Sequence, residues 1–159
     1  MDNIITLIGS LPYARIEGIS LEEAIEKALF DSVARVDIPT MPQLPFPEDS
    51  EHRFDPYILD ELKTPGKLVC ADAFKKIVNL HHRKEVKIQS CGPVTAVISG
   101  DLTEDDAVAR VSEHLTGLAD GLKSSSVYVF LDEPGIKYFL DKTRIFELWN
   151  RVYERVKLP

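Results

Sequence analysis

Long apolar runs, concentrated positive charge and clustered cysteines are all missing from this chain, and each absence excludes a class of function. No apolar stretch approaches the roughly 20 residues that cross a bilayer, so a membrane is not an expected partner. The 19 Lys and Arg are outnumbered by 26 Asp and Glu, for a formal charge of -7, and no basic cluster interrupts the excess. Nucleic acid is not expected either, because phosphate backbones are held by a concentrated positive surface. Cys70 and Cys91 stand far apart, and neither Cys-x-x-Cys nor His-x-Cys spacing occurs. No basic, small-residue leader opens the chain, so free, reduced thiols in a cytoplasmic protein are expected. A Walker motif and a Gly-rich dinucleotide fingerprint are lacking as well.

What is present is ordinary globular material. With 44% hydrophobic and 28% charged residues, the 159 residues can bury a core as one domain, 1–159. A strand is expected over Ile4–Ile8 and another over Ala34–Ile38. Between them Ser20, with Glu23 three residues on, forms a capping box that opens a helix through Leu21, Ala24, Ile25, Ala28 and Leu29. About 39–67 the chain becomes irregular and holds six prolines, with a short helix suggested near Pro56–Leu62. Ala71–Leu80 reads as a helix with Phe74, Ile77 and Val78 inward. Val86–Gln89 reads as a third strand, and Val94–Ile98 fits strand or helix equally. Leu102–Leu122, capped by Thr103, carries a stripe of Val108, Val111, Leu115, Leu118 and Leu122. Ser126–Leu131 is the fourth expected strand, and a last helix over Asp141–Val156 turns Ile145, Leu148, Trp149 and Val152 inward.

Strands alternating with helices predict an α/β fold with a parallel sheet. In such folds ligands bind beyond the carboxyl ends of the strands. Those ends read GSLP, PTMPQLP, SCGPVT and DEPG, each pairing a proline with a compact polar or acidic residue. Such turns can be purely structural. Taken as a set, they predict that Ser10, Gln43, Ser90 or Thr95, and Asp132 with Glu133 converge, one of the two acids facing the mouth and the other capping or pairing. His81 and His82 read as residues at a helix end, His52 and His114 as surface residues, and Cys91 as a small buried thiol.

The segments IGSLP, MPQLP, QSCGPVT and FLDEPGI, in that order, resemble strand ends in the C-terminal barrel of cobalamin-independent methionine synthase and its uroporphyrinogen decarboxylase-like relatives. That resemblance implies about half of a TIM-type (β/α)8 barrel, its first four βα units, and a chemistry of methyl transfer to a thiol. It implies that Ile8, Gly9, Ser10 and Asp132 contact a thiol- or amino-acid-like ligand, with Gln43 and Glu133 assisting. The family's zinc ligands follow the Asp-Glu-Pro strand, and this chain carries no counterpart of them. No cofactor is therefore expected in this chain, with zinc entering only if a partner supplies it. An open half barrel implies completion by a homodimer, by a complementary half-barrel protein, or by a different closure of the sheet. A non-catalytic subunit that pairs with a zinc-bearing or corrinoid protein is the competing expectation.

Overall fold

Local signals set the helices. The structure, a computed structural model, describes residues 4–6, 18–43, 61–99, 102–139 and 141–159. Helix α1 covers Leu21–Ala34, and the Ser20 hydroxyl accepts from the Glu23 amide at its start. Its buried stripe is Ala24, Ala28, Leu29 and Val33. Helix α2, Ala71–Leu80, buries Ala71, Phe74 and Val78 and ends at exposed His81 and His82. The ambiguous stretch after the third expected strand is helix α3, Pro93–Ser99. Helix α4, Glu104–Ala119, begins at Thr103, whose hydroxyl accepts from the Asp106 amide while donating to the Asp106 carboxylate. Three acids in its first turn face the positive end of the helix dipole. Helix α5, Lys142–Arg155, begins at Asp141, which accepts from the amides of Thr143 and Arg144. Arg144 then pairs with Glu104 and ties α5 to α4.

Strand β1, Glu85–Cys91, and strand β2, Ser126–Asp132, pair in parallel from Glu85 opposite Ser126 to Cys91 opposite Asp132. Helices α3 and α4 form the crossover between them, as parallel pairing requires. Val86 and Ile88 of β1 join Leu115, Leu118, Leu148 and Val152 in the core. A short 3-10 turn, Ile136–Tyr138, leads from β2 towards α5. Among the described residues no helix is long and apolar enough to cross a membrane.

Among the described residues neither of the first two expected strands is formed, and with them the half barrel falls. Helix α1 runs through Ala34, and among the described residues the following segment forms no strand, only isolated bridging such as the parallel bridge of Thr40 to Lys87. Pro39 and Pro42 flank that bridge and have no N–H to extend it. Ile4 and Ile5, expected in a buried strand, are 70% and 56% exposed. Ile5 is held at the margin by Asp37 and Ile38: its amide donates to the Asp37 carboxylate and its carbonyl accepts from the amides of both. The described residues therefore form a largely helical α/β protein around a small, open two-stranded parallel sheet, not half of a TIM-type (β/α)8 barrel.

Candidate functional site

The carboxyl end of β1 gathers the densest buried polar network among the described residues. Gln43, Glu61, Gln89 and Ser90 are all buried there. Parallel pairing turns Gln89 and Cys91 to the same sheet face as Phe130 and Asp132. Gln43, just past the Pro-flanked bridge, donates through Nε2 to Glu61 Oε2 at 2.8 Å and receives a short hydrogen bond from Gln89 Nε2. The other Glu61 oxygen accepts from the Ser90 hydroxyl at 3.1 Å and from the Cys91 amide at 2.7 Å.

Every one of these donors is neutral. Burial raises the Glu61 carboxyl to about 7, against the lowering effect of the Cys91 amide, Ser90 and Gln43 and with a further push upward from Asp132. A buried acid poised near neutrality at a strand end can take up or release a proton within the physiological range.

The two acids after β2 divide their work as their positions dictate. The Glu133 carboxylate accepts from the amides of Val94 and Thr95, at 3.1 and 2.7 Å, and from the Trp149 indole at 3.0 Å. It joins the first turn of α3 to α5, a structural task. A Cβ at Gly92 would stand 2.1 Å from Glu133 Oε1, so a side chain there would displace the carboxylate from these bonds. Asp132 is half-buried and its carboxylate has no hydrogen-bond or ion-pair partner among the described residues. Burial raises its pKa.

Cys91 is buried, and its thiol points back to the Gly92 carbonyl at 3.3 Å. Burial first, then the charges of Glu61, Glu133 and Asp132, push it well above the ordinary thiol range. It stays protonated near neutrality and is no nucleophile there. Thr95 is spent on structure, accepting from the Gly135 amide at 3.0 Å. Among the described residues no three His, Cys, Asp or Glu side chains are grouped to hold a metal ion.

Of the residues singled out from the sequence, Gln43, Ser90, Asp132 and Glu133 are placed around this strand end, and Ile8, Gly9 and Ser10 lie outside the described residues. Glu61 and Gln89 were missed. In LDEL, Glu61 stands beside a second acid at the end of the short helix suggested near Pro56–Leu62, and no local signal marks it as buried. His114, expected at the surface, is fully buried on α4. That correction was available from spacing, because Val111, His114 and Leu118 fall on one helical stripe.

No family model matches this chain, and neither does any curated protein or any solved structure. The resemblance to cobalamin-independent methionine synthase is thus overturned, both by these comparisons and by the open two-stranded sheet. With it fall the half-barrel thiol- or amino-acid-binding function it implied and the alternative of a subunit completing a zinc or corrinoid enzyme.

Proposed function

We propose that the carboxyl end of the sheet binds a small organic cation, a protonated amine or guanidinium, and that its binding is coupled to release of the Glu61 proton to solvent. The observation that carries this reading is a buried carboxyl, raised to about 7, whose partners among the described residues, Gln43, Ser90 and the Cys91 amide, include no cation. Asp132, half-buried at the adjacent end of β2, supplies a carboxylate free to meet the ligand's charge. A cation entering here would neutralise a local excess of negative charge that Glu61, Asp132 and Glu133 create together. Gln43 and Ser90 would hold Glu61 in one orientation while its proton comes and goes.

The test is an amide-resolved NMR titration with guanidinium, ethylamine and putrescine. At about pH 8, where Glu61 is ionised, saturable shifts are expected at the amides of Gly92 and Asp132. At about pH 5, where Glu61 is protonated, they weaken. Asp132→Asn and Glu61→Gln should each abolish them. Shifts that persist in both variants, or no saturable shift from any of the three probes, would sink the reading.

A further inference from the structure

The outer edge of β2 carries an inference independent of the strand-end site. Among the described residues β2 pairs with β1 alone, so its second row of backbone donors and acceptors has no strand beside it. Exposed edges in monomeric proteins are commonly blunted by charge, proline or a bulge. Residues 126–131, SVYVFL, contain no charge and no proline, and the register to β1 runs without a skipped residue. Val127, Val129 and Leu131 pack towards the core, whereas Tyr128 and Phe130 stand on the other face, 46% and 41% exposed. A long, apolar, uninterrupted edge beside two exposed aromatics is an invitation to strand addition.

We infer that β2 pairs antiparallel with β2 of a second copy of this chain, about a two-fold axis at Val129. The strand's own chemistry argues for a second copy. Read outward from Val129 it is nearly palindromic: Tyr128 on one side answers Phe130 on the other, and Val127 answers Leu131. An isologous pairing sets Tyr128 of each copy across from Phe130 of the other, two aromatic cross-strand pairs on one face. Charge complementarity fixes the antiparallel sense. Exposed Lys84 and Lys123 flank the amino end of β2, where the Ser126 amide bonds the Lys84 carbonyl at 3.0 Å, and Asp132 closes the carboxyl end. Antiparallel pairing brings each acidic end beside a basic one; a parallel pairing would set Asp132 against Asp132.

Light scattering over a dilution series, with three variants, tests this. The wild type is expected to reach twice the 17.9 kDa chain mass and to dissociate on dilution. Tyr128→Lys and Phe130→Glu each set a charge against an aromatic of the other copy, the first beside Glu85 and the second beside Lys87 of its own chain, which Tyr128 and Phe130 contact in the wild type, and each should weaken the dimer about a hundredfold. The double variant puts Lys opposite Glu twice and should recover most of that loss. Restoration supports this register alone. A wild type that stays monomeric at every concentration overturns the proposal, whatever else the edge serves. Single variants that dimerise as well as wild type, or a double variant as weak as the singles, overturn it too. Should a single variant fail to fold, hydrogen exchange of the wild type decides: the outer-edge β2 amides gain protection with concentration, or the inference fails. Neither substituted residue belongs to the strand-end site, so this test and the cation titration fail independently.

Discussion

Glu61 sits at the end of β1 with three neutral groups donating to its two oxygens. His114, on α4, has one bond among the described residues: its Nδ1 accepts from the Gly66 amide at 3.1 Å, while its buried Nε2 meets no partner among them. Both side chains are buried acid-base groups, but their surroundings were assembled for different ends. The acid is surrounded by adjustable side chains. The histidine is locked by backbone, because Gly66 and Gly117 meet beside it so closely that a Cβ on either would lie under 3 Å from the other's Cα. Thr64-Pro65-Gly66-Lys67 forms the turn that permits this, with Gly66 at φ 76° and the Lys67 amide donating to the Thr64 carbonyl. One region spends polar groups on holding a proton near neutrality; the other leaves a polar atom unsatisfied to obtain a close fit.

The largest expected effect lies in the close-fitting region. In Gly117→Ala the new Cβ would stand 2.6 Å from the Gly66 Cα, a backbone atom with no freedom to rotate away. The α4 helix and the turn must part, and the loss of stability should be about 3 kcal/mol or more, at or above the upper end of ordinary overpacking. Urea denaturation measures it. A loss under about 1 kcal/mol would show that the two backbones separate easily, and the contrast with the Glu61 region would disappear.

Next comes the pH dependence, where the two groups oppose each other. The Glu61 carboxyl is raised from 4.5 to about 7, so its contribution is present below pH 4.5 and is lost as pH rises to 7. Burial lowers His114 from 6.5 to about 4, so its contribution is present above pH 6.5 and is lost as pH falls to 4. Between about 4.5 and 6.5 the two slopes cancel in the wild type. Glu61→Gln removes one of them. Relative to wild type its stability should climb by about 3 kcal/mol as pH rises from 4.5 to 7. His114→Gln should drift the other way, losing ground to wild type as pH rises from 4 to 6.5. Parallel stability-pH curves for wild type and both variants would show that neither group titrates differently on folding.

This contrast also explains what could be read in advance. Helices α1, α4 and α5 were legible because their signals are local: Ser20, Thr103 and Asp141 are caps, and the stripe Val108, Val111, Leu115, Leu118 needs only spacing, whereas the seven residues of α3 are too few to show a period. Strands β1 and β2 were legible as short β-rich runs bounded by turns. The expected strands at 4–8 and 34–38 have the right residue types, but a strand exists only through its neighbour. Ile4 and Ile5 are left exposed, and prolines confine the second segment to isolated bridging. The candidate site divides the same way. Asp132 and Glu133 stood next to a strand end that is formed and Gln43 after an expected strand that is not, whereas Glu61 is brought to Ser90 and Cys91 across about thirty residues of chain by tertiary packing alone.

The smallest expected effect tests where the boundary between the two kinds of region falls. Glu133 adjoins Asp132 in sequence and helps push Cys91 upward, yet its oxygens are held as firmly as anything near Gly117. Trp149→Phe removes the indole donor at 3.0 Å from Glu133 Oε1 but leaves the Val94 and Thr95 amides in place. The carboxylate is half-buried rather than sealed, so water can replace the lost donor. The cost should be about 1 kcal/mol, the net worth of one hydrogen bond to a charged group discounted for exposure. A loss near 3 kcal/mol would mean that Trp149 orders the whole carboxyl end of the sheet, and that Glu133 belongs with the locked region. A loss close to zero would mean that the two amides of α3 suffice, and that the network around Glu61 can be altered without disturbing its neighbour.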